Sequence, residues 1–294
     1  MIKINATTKS HDFIVRPVVE KDYPDILKIS KDIWEGHDYL PKVFNDWIKQ
    51  PGLFVGAEDS TTHELVAVSH VSLLHDGTAW IGGLRVRTDY QGKGISHLMI
   101  KAQLDYAIEK LREGVVQRIA CSTFAKNEPS KHLCLSYGLA IKKAYLLLSW
   151  NKACAPRPLH IEPWNPTWEE IEALPYFKET DQHIIQFFKM QKISKAWWED
   201  SKKDFQLFKV NGIPGWIDQS HEPHCIVLEP NKDSLHDWLQ FAYDRLGDDA
   251  STIILPKASL IEELKQTCLE AWSDWEPDCL YYVYEPVKPA EPQV

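Results

Sequence analysis

Gly92-Lys93-Gly94 is the stretch whose residue types and spacing point most directly to chemistry. It follows Ile81, Leu84 and Val86, which read as the end of a strand. It precedes Ile95, Leu98, Met99, Ala102 and Tyr106, an apolar series at helical spacing that runs to about Leu111. The first amides of a helix have no intrahelical partner, and glycines beside them let another group approach the main chain. The amides of Gly92 to Ser96 therefore make a seat for phosphate. A glycine pair alone is weak evidence; the strand before it and the helix after it give it context.

A second concentration of reactive groups is Trp34-Glu35-Gly36-His37-Asp38-Tyr39-Leu40-Pro41. Glu35 or Asp38 could pair with an amine, and Trp34 and Tyr39 could stack on a flat side chain. The same stretch also reads as a helix-capping loop with aromatic packing. His70 lies in a strand pattern, and an imidazole suits proton transfer near neutral pH. It faces a site in one hairpin register and points away in the next. Metal spacing is poor. His221-Glu222-Pro223-His224 holds a proline that breaks the helix a helical zinc motif needs, and His63, His70 and His75 form no ligand set. No metal is expected, and no serine–histidine–acid order stands out.

The elements that must position these groups follow from pattern and turn signals. Strands are expected over residues 13–17, 53–58, 64–74, 78–87 and 117–124, with Asp76-Gly77 as a hairpin turn. Helices start at Tyr23, with Asp22 as N-cap and Pro24 in the first turn, and span about 42–49, stopping at Pro51-Gly52. Asn127 opens a short helix that Gly138 ends, and residues 145–148 form a closing strand. The proline-rich stretch 151–166 reads as a linker between domains. Residues 1–12 are then a tail, 13–150 a first domain, and 167–294 a second α/β domain. In the second, helices are expected at 168–173, 181–198, 234–246 and 259–272, and strands at 224–228, 252–255 and 280–284. It has no glycine-spaced phosphate loop, and its many tryptophans read as core.

Composition narrows the classes. The 294 residues suffice for two domains, and 44% hydrophobic with 26% charged residues is globular. A net charge of −9 argues against nucleic acid and weakly suits a cationic or amine substrate, though it also serves solubility. No apolar run spans a membrane, and the polar N-terminus lacks a signal core. Cys121, Cys134, Cys154, Cys225, Cys268 and Cys279 contain no C-x-x-C pair, which favours reduced thiols and a cytoplasmic protein.

The order strand, two helices, hairpin strands, glycine loop, helix, strand, short helix, strand over residues 13–150 resembles the GCN5-related N-acetyltransferase (GNAT) family. Gln91-Gly92-Lys93-Gly94-Ile95-Ser96 matches that family's Gln-x-x-Gly-x-Gly/Ala marker, with Ser96 at the last position. Asn127 ahead of a short helix ending at Gly138 is a second marker. More narrowly, Asp38-Tyr39-Leu40-Pro41 with Trp47, Gly83-Leu84-Arg85-Val86 and Gly92-Lys93-Gly94 are similar to the vertebrate histidine N-acetyltransferase group, which also has a long C-terminal region.

The resemblance implies a mixed, mostly antiparallel sheet with flanking helices, and a second domain that could be a degenerate copy. It implies acetyl-CoA as co-substrate. Gln91, Gly92, Lys93, Gly94, Ile95 and Ser96, with His97, would hold the CoA pyrophosphate. The backbone of Leu84, Arg85 and Val86 would pair with the pantetheine arm, and Asn127 would contact it. Gly82-Gly83 would allow a bulge that opens the slot, and an amide near Leu84 would stabilise the oxyanion. Two departures stand out. Cys134 occupies the place of a tyrosine that often protonates the leaving thiolate, and reads either as a thiol acid or as a structural cysteine. Gly82 occupies the place of a frequent glutamate base, so Glu35, Asp38, His70 or a water chain must take the proton. The expected activity is acetyl transfer to a small amine such as free histidine. A protein or peptide acetyltransferase and a non-catalytic acyl-CoA-binding module are the alternatives.

Overall fold

The computed structural model describes residues 5–8, 11–186, 188–219, 223–255 and 257–285, with side chains from Phe13 onward. His221 and Glu222 of the histidine pair lie outside the described residues. The chain forms two compact units. The first takes Met1–Cys121, Pro129–Ala140 and Val283–Val294; the second takes Ser122–Glu128 and Ile141–Tyr282. Among the described residues no helix is long and apolar enough to cross a membrane.

In chain order the elements begin with β1 (Asn5–Thr8), β2 (His11–Pro17), α1 (Tyr23–Ser30), α2 (Leu40–Lys49) and β3 (Gly52–Asp59). Then come β4 (Leu65–Leu73), β5 (Thr78–Val86), α3 (Ile95–Arg112), β6 (Arg118–Phe124) and α4 (Glu128–Ser136). β1 to β5 pair antiparallel in sequence order, and β6 joins β5 in parallel after the α3 crossover. β4 is the central strand, with Leu65, Val66, Ala67, Val68 and Val71 fully buried. Leu65 and Val68 pack with Ile26, Ile29, Leu40 and Phe44 of α1 and α2. Val66 packs instead with Ile95, Leu98, Met99 and Ala102 of α3. Helices thus cover both faces, the arrangement that lets a strand bury its odd and even residues alike.

The rest comprises β7 (Leu139–Ser149), β8 (Ile161–Pro163), α5 (Trp168–Ala173), α6 (Pro175–Glu179), β9 (His183–Gln186), β10 (Lys189–Lys192) and α7 (Lys195–Ser201). It continues with β11 (Phe205–Val210), β12 (Ile213–Asp218), β13 (His224–Val227), α8 (Lys232–Leu246), β14 (Ser251–Ile254), α9 (Ala258–Leu264), β15 (Glu270–Ala271) and β16 (Cys279–Tyr284). β8, β11, β12 and β13 pair antiparallel, and β14 joins β13 in parallel after the α8 crossover. This repeats the order of the first unit, so a mixed, mostly antiparallel sheet with flanking helices describes both. Trp197, Trp198, Trp216 and Trp238 are fully buried, as core tryptophans should be, while Trp272 is exposed.

Asp22 stands at the N-cap of α1 as expected, but its side chain makes no capping bond; its carboxylate pairs with Arg16 at 2.7 Å and accepts the Val19 amide at 2.9 Å. Three expectations need correction. The helix expected over 181–198 is a β9–β10 hairpin followed by α7 alone. Ile184 and Ile185 favour strand, and Asp181 and Gln182 turn through positive φ, which stops a helix there. The last expected helix ends at Leu264, and the chain returns as β15 against β7. Finally, Cys154 and Cys268 form a disulfide, while Cys121, Cys134, Cys225 and Cys279 are buried outside any disulfide. Their separation of 114 residues hides the pair from any spacing rule.

The β4–β5 ladder shifts register between Val68 opposite Arg85 and His70 opposite Gly82, which makes a bulge of Gly83 and Leu84. Gly83 has φ +62°, and a Cβ there would lie 2.5 Å from the Trp47 ring. Gly83→Ala should therefore destabilise the protein by about 2–4 kcal/mol in chemical denaturation, adding left-handed strain to a steric clash. Gly114→Ala, with φ +73° but open space around it, should lose only about 1–2 kcal/mol. Equal losses would mean that Trp47 does not lock the bulge.

Candidate active site

The glycine loop meets the sequence expectation for a phosphate seat. Gly92 and Gly94 have φ +76° and +78°, and Gly94 is the N-cap of α3, so no side chain caps that helix. A Cβ at Gly92 would meet nothing within 4 Å. Its amide and those of Lys93, Gly94, Ile95 and Ser96 face no partner among the described residues, whereas the His97 amide bonds back to Gly94 at 3.1 Å. The loop's base is firmly tied. Gln91 Nε2 donates to Val86 O at 3.3 Å, and Tyr90 donates its hydroxyl to Asp59 at 2.8 Å. That bond, and then burial, holds the Tyr90 phenol above its usual pKa. Lys93 Nζ sits 4.0 Å over the Tyr90 ring, which keeps a cation beside the seat. His97 is exposed, and Tyr137 donates to its carbonyl at 3.2 Å.

The second unit offers an instructive contrast. α8 also follows a strand and leads into a parallel neighbour, but Asn231 caps it. The Asn231 side chain accepts the Asp233 and Ser234 amides at 3.0 and 2.9 Å. Those donors are satisfied internally, so of these two crossover helices it is α3 that presents an open start.

Next to the glycine loop, β5 has an open edge. Its parallel ladder with β6 runs from Thr78 opposite Arg118 to Trp80 opposite Ala120 and goes no further. Along Leu84 to Val86 that side of β5 therefore carries no neighbouring strand among the described residues; Leu84 O accepts from Arg85 Nη1 at 3.1 Å and Val86 O from Gln91 Nε2, and an extended chain could add there as a strand. Gln103, buried on α3, braces the bulge from beneath: its Nε2 donates to His70 O at 2.9 Å and Gly82 O at 2.7 Å.

Around the bulge a line of aromatic and charged groups is assembled. Asp38 and Arg85 make a two-pronged ion pair, Nε to Oδ2 at 3.0 Å and Nη2 to Oδ1 at 3.2 Å. Burial alone would lower the Arg85 pKa, but the charges of Tyr39 and Asp38 outweigh it and raise it. The guanidinium lies 4.7 Å from the Trp34 ring centre and 5.2 Å from that of Tyr39. Tyr39 meets Trp47 edge-on at 6.2 Å, and Trp47 stacks flat on His70 at 4.3 Å. His70 is buried, with Nδ1 3.3 Å from the Ser72 hydroxyl. Its side chain thus takes the register that faces α2. Glu35 is exposed on a turn where Trp34 and Glu35 adopt φ +47° and +57°.

The structure brings Trp34, Asp38, Tyr39 and His70 into one contiguous group and leaves Glu35 on its outer rim. Cys134 is elsewhere, buried with its sulfur 3.8 Å from Cys121. The Cys121 thiol hydrogen bond draws Cys134 down, and Cys121 is pushed up in turn by that pairing and by burial. Asn127 belongs to the second unit, where its amide donates to Phe124 O at 3.0 Å. The side chains of Arg85, Trp47 and Gln103 were missed as site residues by the sequence reading. The signal for Gln103 was available: a lone amide at a buried position between Ala102 and Leu104 of an apolar helix face.

Residues 21–139 match the model of the acetyltransferase (GNAT) family. The histidine N-acetyltransferase of Xenopus tropicalis is 29% identical over 136 residues, 45% of this chain and 40% of that protein. The one from Oreochromis niloticus is 31% identical over 84 residues, 28% of this chain and 24% of that protein. The chain thus matches less than half the length of either curated relative. A GCN5-related N-acetyltransferase from Sphaerobacter thermophilus shares the fold with a TM-score of 0.62, covering 93% of this chain and 95% of that one at 12% identity. Residues 21–139, which carry the open helix start and the bulged strand, are thus similar to the acetyltransferase (GNAT) family, and the chain shares the fold of a GCN5-related N-acetyltransferase.

Proposed function

We propose that this protein is an acetyl-CoA-dependent N-acetyltransferase that acetylates the amino group of a small-molecule amine, a free amino acid such as histidine. The observation that carries the reading is the open start of α3 beside the bulged, unpaired edge of β5. In this reading the amides of Gly92 to Ser96 take the pyrophosphate, with Lys93 adding a cation. Leu84 to Val86 pair with the pantetheine arm. An amide at the bulge near Leu84 polarises the thioester carbonyl and stabilises the oxyanion. The amine attacks the carbonyl carbon, the carbon–sulfur bond breaks, and CoA leaves as a thiolate that takes a proton from solvent. Cys134, closed in against Cys121, is then structural.

The acceptor ammonium must first lose a proton. His70 borders the bulge, since a Cβ on Gly83 would lie 3.4 Å from its own Cβ, and we assign it the base role. Asp38 is committed to Arg85, which makes it a positioning residue for the Trp34 and Tyr39 rings. Those rings form a platform suited to a flat side chain such as imidazole, with the Glu35 carboxylate at its rim. The curated relatives named histidine N-acetyltransferase support that acceptor over a peptide.

Two measurements test the reading. In an acceptor screen with acetyl-CoA, read by thiol release, free amino acids should turn over, with histidine among the best. Turnover of peptide amines alone would overturn the acceptor, and acetyl-CoA binding without turnover across a broad amine panel would overturn the enzyme. For the base, kcat/KM should rise with pH as the base loses its proton. His70→Gln should lower kcat/KM by about 100-fold or more and remove that rising limb. Glu35→Gln should keep it. A His70→Gln profile with the wild-type limb would move the base to another group.

A further inference from the structure

The second unit holds a cluster that acyl transfer leaves unused. Cys154, His236 and Cys268 each present a ligand atom, and these atoms lie within 4.8 Å of one another. Three separate elements bring them together. Cys154 follows β7 in a turn whose amide donates to Asn151 O at 2.8 Å. Cys268 stands between α9 and β15, and β15 pairs with β7. His236 lies on α8, 4% exposed, with Trp150 edge-on to its ring at 4.9 Å. Its Nδ1 is 3.3 Å from Asp237 Oδ1, and Asp237 is itself fixed by Asn211 at 2.7 Å. A carboxylate on one ring nitrogen is the outer partner that sets the tautomer of a ligating histidine. Cys154 and neighbouring Leu269 belong to the same apolar core as Leu148, Leu239 and Leu264, so the scaffold is packed and dry.

We propose that Cys154, His236 and Cys268 form a redox-gated site for a soft divalent metal ion of the Zn2+ type. Oxidised, the cysteines are the disulfide; reduced, they are two thiolate ligands beside an imidazole. Soft sulfur with imidazole is the donor set such ions select. Once the bond opens, the two sulfurs move apart to about 3.8 Å, the separation of two thiolates each about 2.3 Å from one tetrahedral metal, with an imidazole nitrogen already within 4.8 Å of both. A dithiol reductant opens the bond by exchange. The protein disulfide gains two electrons and two protons, and the reductant becomes a disulfide. The two thiols then release their protons as two metal–sulfur bonds form, neutral His236 supplies the third ligand, and water fills the fourth position.

Full-length protein, reduced with dithiothreitol and freed of it without oxygen, tests this by titration with Co2+. Reduced protein should bind one equivalent with a thiolate-to-cobalt absorption band, and added Zn2+ should displace it. Oxidised protein should show no band. His236→Gln keeps the disulfide, so it should fold when oxidised, yet lose at least tenfold in Co2+ affinity when reduced. Cys154→Ser with Cys268→Ser should abolish the band, and Cys134→Ser should leave it intact. Circular dichroism is followed in parallel. Reduced protein that unfolds and recovers with Zn2+ supports the site; recovery absent with Zn2+, no band in reduced protein, or full affinity in His236→Gln overturns it.

Discussion

The two hydrogen bonds from Gln103 to His70 O and Gly82 O are the constraint on which the candidate site depends. A bulge disrupts the ladder that would otherwise satisfy those carbonyls, and buried, unpaired carbonyls each cost about 1–3 kcal/mol. Gln103 supplies both donors from one amide. It also ties the bulge to α3, about two turns beyond the start of that helix at Ile95, or roughly 12 Å at 1.5 Å per residue. Together with the packing of Ile95, Leu98, Met99 and Ala102 against the sheet, this side chain holds the open helix start and the open strand edge at a set separation. A flexible loop in either place could not hold a cofactor's two ends in register.

The bulge also organises what lies above it. Absence of a Cβ at Gly83 lets Trp47 approach, and Trp47 in turn stacks on His70. Two residues further along β5, Arg85 reaches Asp38 and the Trp34 and Tyr39 rings. Trp34 and Glu35 both adopt left-handed backbone, which disfavours side chains of their kind. The buried ion pair and the cation–ring contacts beside that turn supply the compensating interactions. A bare carboxylate at Asp38 would be a poor buried group; paired to Arg85 it becomes a strut.

What could be read from the sequence was whatever depends on local pattern. Asp76-Gly77 marks a hairpin, and Gly77 indeed turns at φ +73°. The strand, glycine loop and helix around Gly94 were legible because each carries its own periodicity. Asn211-Gly212 is an equally good hairpin signal, with φ +49° and +82°, and it was overlooked between β11 and β12. The β9–β10 hairpin was harder, since a short apolar run such as Ile184-Ile185 fits helix and strand alike. The Asp38–Arg85 pair, the Trp47–His70 stack and the Cys154–Cys268 bond join positions distant in the chain, and no local pattern encodes them.

The two units share a strand–helix–strand order, yet their helix starts are chemically opposite, and this separates fold from function. Asn231 and Ser234 close α8 on itself, with the Asn231 amide donating to Ser234 Oγ at 2.9 Å and the Ser234 hydroxyl donating to Glu229 O at 2.7 Å. Such a cap is worth about 1 kcal/mol to its helix. It uses the donors that a phosphate would need. At Gly94 the chain forgoes that stabilisation and leaves the amides exposed, an arrangement that favours folding less and ligand binding more. Selection for stability alone would cap both helices. The uncapped α3, braced by Gln103 and anchored through Tyr90 and Asp59, is the one of the two whose start leaves those donors open to a ligand.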